Sequence, residues 1–174
     1  EDRHVAAEMT PLQDVAFIDL DRSHNENLQV LRDQAHGRYP VCRGSMQQVI
    51  GVAESRSLLR AALSANLNFV DLPLTPPLYV PMSLTLIDLL KTFRERNTDF
   101  ALCVNEFGVT QGIITIGDLF QTMAGHMMPG ADDPEQALAV QRDDGSWLID
   151  GSVTIERIKS VLDIDRKSTR LNSS

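Results

Sequence analysis

The feature that most limits what this chain can fold into is an internal repeat. Gly51 recurs as Gly112, Leu58 as Leu119 and Cys42 as Cys103, each 61 positions on. Thr10-Pro11 recurs as Thr75-Pro76 at a spacing of 65, the difference falling in the loop before the first helix of each copy. A period of this length holds a whole supersecondary unit. Hydrophobic periodicity gives each unit the order strand, helix, strand, strand, helix. One unit alone would leave the face of its short sheet uncovered. Two units packed sheet to sheet bury it, which predicts a mixed α+β fold of short sheets related by a pseudo-two-fold axis, helices outside and a cleft between the copies.

In the first copy the apolar run 14–21 predicts a strand. Residues 24–36 read as a helix, with Leu28, Leu31 and Ala35 on one face, and 38–42 and 49–53 as strands. A second helix spans 55–65, with Leu58, Leu59, Ala62 and Leu63 expected inward. In the second copy 78–80 is extended, and Ser83 is the expected cap of a helix over 84–96 whose Leu86, Leu89, Leu90 and Phe93 form one stripe. Strands at 100–104 and 112–115 flank the turn Asn105-Glu106-Phe107-Gly108, and a helix follows at 117–125. The segments are thus a polar lead at 1–8, repeats at 9–65 and 78–125, a proline-rich connector at 66–77 and a linker at 126–137. Asp143-Asp144-Gly145-Ser146 between two apolar stretches signals a hairpin, and Thr154 a short helix carrying Ile155, Ile158, Val161 and Leu162. This piece at 138–164 is too small for a core of its own, and 165–174 reads as a non-native tail. A chain beginning at Glu1 reads as part of a longer protein.

Composition narrows the function. A net charge of −8 without clustered Lys or Arg argues against a nucleic-acid or anionic-membrane partner. No apolar run is long enough to span a bilayer. Cys42 and Cys103 sit in apolar runs and read as small buried hydrophobes in a reducing compartment. His4, His24, His36 and His126 show no ligand spacing, and the acidic run from Asp132 to Glu135 reads as solvated linker, so no metal site is expected. Met123, Met127 and Met128 suggest a helix end packed against core or a partner. With no nucleophile–base pair and no phosphate-cradling glycine loop, an enzyme is not expected.

The chemistry gathers at Gly112-Ile113-Ile114-Thr115-Ile116-Gly117-Asp118-Leu119. A strand ending in Thr115, followed by Asp118 in a new helix, brings together a hydroxyl, a carboxylate and helix-start amides, groups suited to a phosphate and a ribose. The same pair also reads as a helix cap that binds nothing. In the first copy these positions are Glu54 and Ser57, which suit neither group. One functional site, in the second repeat, is therefore expected.

The phrase Gly-hydrophobic-hydrophobic-Thr-x-x-Asp-Leu resembles the CBS-domain pair, or Bateman module. Met9-Thr10-Pro11, His36-Gly37-Arg38-Tyr39-Pro40-Val41, the Asn105 to Gly108 turn and Gly112 to Thr115 resemble the CorC/HlyC/CNNM branch linked to magnesium and cobalt efflux. Asp144 to Ser152 resembles the opening of the CorC-type transporter-associated domain. The resemblance implies tandem CBS repeats and a regulatory site for an adenosine nucleotide, ATP or AMP, with or without Mg²⁺. Asp118 would take the ribose hydroxyls and Thr115 a phosphate, with Thr10 and Arg38 completing the polar lining. Tyr79, Val80, Phe100 and Ala101 would wall the adenine. It further implies a homodimer, a membrane transporter domain in the same parent protein and a cytoplasmic position tethered to the membrane. The alternative readings stay open: a ligand-free dimerisation scaffold, Arg38 paired with a carboxylate, Thr10 as a turn residue, and Tyr79 and Phe100 as core.

Overall fold

A computed structural model describes residues 3–127 and the backbone of 139–141 and 147–149. The first repeat contains β2 (Ile18–Asp19), α2 (His24–Asp33), β3 (Arg38–Arg43), β4 (Ser45–Glu54) and α3 (Ser55–Leu63). The second contains β5 (Tyr79–Pro81), α4 (Leu86–Arg96), β6 (Phe100–Val104), β7 (Thr110–Thr115) and α5 (Ile116–Met127). Ahead of both lie α1 (Val5–Glu8) and β1 (Thr10–Pro11), and behind them the pair β8 (Ala139–Gln141) and β9 (Trp147–Ile149). In each repeat a helix crosses between parallel strands, β2 with β3 and β5 with β6, and an antiparallel hairpin follows. Residues 126 and 127, expected in the linker, belong to α5; the rest of the expected linker, 128–137, the Thr154 helix, the tail at 165–174 and the side chains of Met123, Met127 and Met128 lie outside the described residues.

The two sheets do not follow the linear segments. β1 joins the second repeat, giving the order β1-β7-β6-β5, with Thr10 opposite Ile113 and Pro11 opposite Gly112. Thr75, the counterpart of Thr10, bonds in turn to β4 of the first repeat, N–H to carbonyl in both directions with Val52 at 2.9 Å. Each Thr-Pro arm therefore closes the sheet of the other repeat. The recurring glycine lies under the arm. A Cβ on Gly51 would stand 2.7 Å from Leu74 Cβ, and one on Gly112 would collide with the Thr10 carbonyl oxygen.

Three apolar clusters follow from this arrangement. Val80, Leu89, Phe93, Ala101, Ile114 and Leu119 form the second repeat's core, joined by Val5 of α1. Ile18, Tyr39, Val41 and Leu58 form the first, joined by Phe69 and Leu72 from the connector. Between the sheets lie Cys42, Met46, Val52, Phe100 and Leu102. Gln47 of β4 adds a polar link across them: its amide accepts from Thr110 N–H at 2.8 Å and donates to Thr110 carbonyl at 3.1 Å.

Several boundaries differ from expectation. The run 14–21 is buried at Val15, Ala16 and Ile18, but only 18–19 pair with a neighbouring strand, because an apolar run reports burial and not a ladder. Residues 34–36 are not helical. Tyr39 Oη donates to the Gln34 carbonyl at 2.6 Å and accepts from His36 N–H at 2.9 Å, holding the chain extended after Asp33. The cap of α4 is Thr85, whose hydroxyl accepts from Asp88 N–H, and not Ser83. In α3 Leu58 is buried as expected, but Leu59, Ala62 and Leu63 are exposed, since Phe69 and Leu72 complete the core a second row of α3 residues would have covered.

Candidate functional site at the β7–α5 junction

Thr115 ends β7 and caps α5. Its hydroxyl accepts from Asp118 N–H at 3.2 Å, and Asp118 Oδ2 accepts from Thr115 N–H at 2.8 Å. This reciprocal box satisfies two amides that a helix start would leave without partners. Burial raises the Asp118 pKa above the ordinary carboxylate value; bonds from the Thr115 backbone and side chain oppose the rise, and the charge of Glu8 adds to it. Glu8 arrives from α1, paired with Arg3 at 3.1 Å, and lies 2.9 Å from Thr122 Oγ1 of α5. A half-buried carboxylate pushed toward neutrality is the sort of group found where a ligand supplies the missing partners.

The equivalent junction, β4–α3, is built differently. Glu54 is the cap residue of α3 and makes no side-chain bond to it. Its Oε1 instead accepts from Arg38 Nη1 at 3.0 Å. The other side of the Arg38 guanidinium faces Asp99, with Nη2 donating to Oδ2 at 3.2 Å and Nε 2.7 Å from Oδ1, an ion-pair contact off the hydrogen-bond direction. Burial alone would lower the Arg38 pKa, but the bonds to Asp99 and Glu54 outweigh it and raise the value. Arg38 and Asp99 are themselves counterparts, 61 positions apart. Two equivalent residues that touch must straddle the axis relating the copies. The Asp99 carbonyl also accepts from Ile116 N–H at 2.9 Å, the first residue of α5. Arg38 thus spans the space between the starts of α3 and α5.

Of the residues singled out in the sequence, Thr115 and Asp118 are in direct contact, and Phe100 lies opposite Thr115 on β6. Thr10 is half-buried on β1, two positions along β7 from Thr115. Arg38 reaches the junction through Asp99. Val80 and Ala101 point elsewhere. At 2% and 0% exposure they belong to the core shared with Leu89, Phe93 and Leu119. Because side chains alternate along a strand, Tyr79 and Phe100 then share the opposite face, where Tyr79 remains 44% exposed and Phe100 is buried. Sequence reasoning missed Asp99 and Glu8. The signal for Asp99 was present, an acid standing where the other repeat has Arg38; nothing local marks Glu8.

Burial pushes the thiol pKa of Cys42 up to about 11 and that of Cys103 to about 12. Among the described residues no group of three or more His, Cys, Asp or Glu side chains is placed to hold a metal ion. No helix among them is long and apolar enough to cross a membrane.

Residues 70–125 match the CBS-domain family. The polyamine export protein of Escherichia coli K12 is 35% identical over 168 residues, which are 95% of this chain and 37% of that protein. The chain thus spans 37% of the length of the first curated relatives it matches. A CBS domain protein from Shewanella oneidensis MR-1 is 29% identical, with a TM-score of 0.65, 71% of this chain covered and 99% of that one. The CBS domain of a bacterial CNNM/CorC family Mg²⁺ transporter, solved in complex with ATP, is 30% identical, with a TM-score of 0.59, 67% of this chain covered and 83% of that one. By sequence and by fold, the chain belongs to the CBS-domain proteins of the CorC/CNNM family.

Proposed function

We propose that this chain is the regulatory part of a CorC/CNNM-type membrane protein and binds one adenosine nucleotide at the β7–α5 junction. The observation that carries this reading is the contrast between the two junctions. Thr115 and Asp118 present a hydroxyl and a half-buried carboxylate at the second, whereas Glu54 puts an anion at the first. The donor set suits the ligand. Asp118 can accept from paired ribose hydroxyls, Thr115 and the α5 start suit a phosphate, and Arg38 carries the nearby positive charge. Tyr79 and Phe100 share a face that could hold the adenine. The similar Mg²⁺-transporter domain in complex with ATP supports an adenosine nucleotide, ATP or AMP, with or without Mg²⁺. Binding would bias the two repeats, and with them a membrane domain in the parent protein that exports a cation. The relatives' names point to different cations, Mg²⁺ in one and polyamine in the other. The role is regulation at a membrane's cytoplasmic face, not catalysis.

Calorimetry of the full chain with ATP and AMP, with and without Mg²⁺, tests this. One site lost in Asp118→Ala is expected; two equivalent sites, or none at millimolar nucleotide, would overturn it. A second reading, a dimerisation scaffold, draws on α3, where Leu59 and Leu63 are 61% and 81% exposed. In that reading a second copy covers them, and Asp118→Ala leaves assembly unchanged.

A further inference from the structure

Arg38 is linked to the α5 start through Asp99, whose carbonyl accepts from Ile116 N–H, and the chain's own carboxylates already hold its guanidinium. Glu54 Oε1 is 3.0 Å from Nη1, and the two Asp99 oxygens lie 2.7 Å from Nε and 3.2 Å from Nη2. Both acids adjoin helix beginnings: Glu54 immediately precedes α3 without a side-chain bond to it, and the Asp99 carbonyl accepts from Ile116 N–H, the first amide of α5. Glu54 also occupies the position that matches Thr115. The first repeat therefore sets an anion where its twin would meet one, and that anion engages the guanidinium near the second site.

We propose that Glu54 and Asp99 compete with the ligand's phosphates for Arg38, so that Arg38 switches between an inter-repeat latch and a phosphate contact. This inference rests on the nucleotide reading above and adds to it the residues that set affinity and phosphate-number preference. A phosphate chain that draws Arg38 away breaks its bonds to both repeats together, which couples occupancy to the packing of one repeat on the other. A ligand with a single phosphate gains less from Arg38 and competes less well against two carboxylates. Glu54 opposes polyphosphate in two ways, by holding Arg38 and by its own charge, and the two are separable.

The test is titration of the full chain with ATP and with AMP. The proteins are wild type, Glu54→Gln, Asp99→Asn, Arg38→Gln and the double variant Arg38→Gln/Glu54→Gln, with circular dichroism confirming the fold of each. Removing one nearby charge should lower the Kd for ATP about three- to tenfold in Glu54→Gln, and that for AMP by a smaller factor. Asp99→Asn should shift ATP in the same direction, and Arg38→Gln should raise the Kd. In the Arg38→Gln background most of the Glu54→Gln gain should vanish, since the competition has lost its object. An unchanged ATP affinity in both carboxylate variants, or a Glu54→Gln gain that persists in full without Arg38, overturns the inference while leaving the nucleotide site standing. Failure of wild type and of both carboxylate variants to bind either nucleotide overturns the site and the inference together. Should Glu54→Gln prove unstable, Glu54→Thr, which restores the residue of the other repeat, carries the same expectation.

Discussion

At the start of α5, Thr115 and Asp118 satisfy each other's amides; at the start of α3, 61 positions earlier, Glu54 leaves its helix uncapped and reaches for Arg38. The backbone plan is the same and the polar groups are directed differently. The helices behind the junctions differ too. Phe120 on α5 is 4% exposed, whereas Leu59, its counterpart on α3, is 61% exposed. Duplicated architecture has preserved strands and glycines and let the ends of the strands diverge. The fold is held by apolar pairing common to both copies, while the reciprocal Thr115–Asp118 box, on which the proposed site rests, is retained by only one.

The largest effect expected from this contrast is on stability. Phe120→Ala should cost about 3–5 kcal/mol in urea unfolding and Leu59→Ala less than about 0.5 kcal/mol. A loss above about 1 kcal/mol for Leu59→Ala at monomeric concentration would show that α3 is covered within the chain. Next come the glycines beneath the arms. Overpacking by Gly112→Ala should cost about 2–3 kcal/mol, because the Thr10 carbonyl cannot move without opening the sheet, and Gly51→Ala about 1–2 kcal/mol. Equal losses would mean both arms are clamped alike.

Capping sharpens the comparison at a smaller scale. Thr115→Ala should lower stability by about 1 kcal/mol, while Ser57→Ala at the other junction changes it little. Asp118 itself should behave unlike a stabilising acid. Its pKa is raised on folding, so the folded chain binds the proton more tightly than the unfolded one. Its contribution is favourable in acid and lost as pH rises from the unfolded carboxylate range through the raised value. Asp118→Asn keeps an acceptor for Thr115 N–H and should therefore melt no lower than wild type at pH 7, with the difference closing in acid, even as nucleotide affinity falls. Asp19 gives the opposite slope. Burial would raise its pKa, but amides of Gly44 and Asp21 and the charge of Arg22 lower it overall, so its stabilisation is present at neutral pH and lost as pH falls below the usual carboxylate range. Thermal melts from pH 3 to 7 that show the same slope for Asp118→Asn and Asp19→Asn would contradict both assignments. The smallest difference is between the paired cysteines. With thiol pKa values near 11 and 12, neither Cys42 nor Cys103 should react with a disulfide reagent at pH 8 until the chain unfolds.

The repeat, the α4 stripe and the β6 strand were legible because apolar spacing reports local structure directly. The exposed row of α3 was not, since Leu59 and Leu63 have the spacing of core residues whether or not this chain covers them. The destination of each Thr-Pro arm was also hidden. Thr10 carries no local mark that its partner is Ile113 and not a strand of its own repeat. At the site, Thr115 and Asp118 were readable from strand-to-helix chemistry. The pairing of Arg38 with Asp99 required knowing that the axis passes between them, which only the packed sheets determine.

The crossed arms also bear on the order in which the chain can be completed during synthesis. Thr10 leaves the ribosome early, yet the strand it pairs with, Thr110–Thr115, is made only after every element of the first repeat. The first sheet likewise lacks Thr75 until the connector has emerged. The second copy cannot close its sheet without the early arm, the first cannot do so before the connector emerges, and the early segment must stay unpaired while its partner is still being made. An arm waiting in this way can be captured by a neighbouring nascent chain, so the same feature that locks two halves into one module leaves an opening for two chains to trade arms.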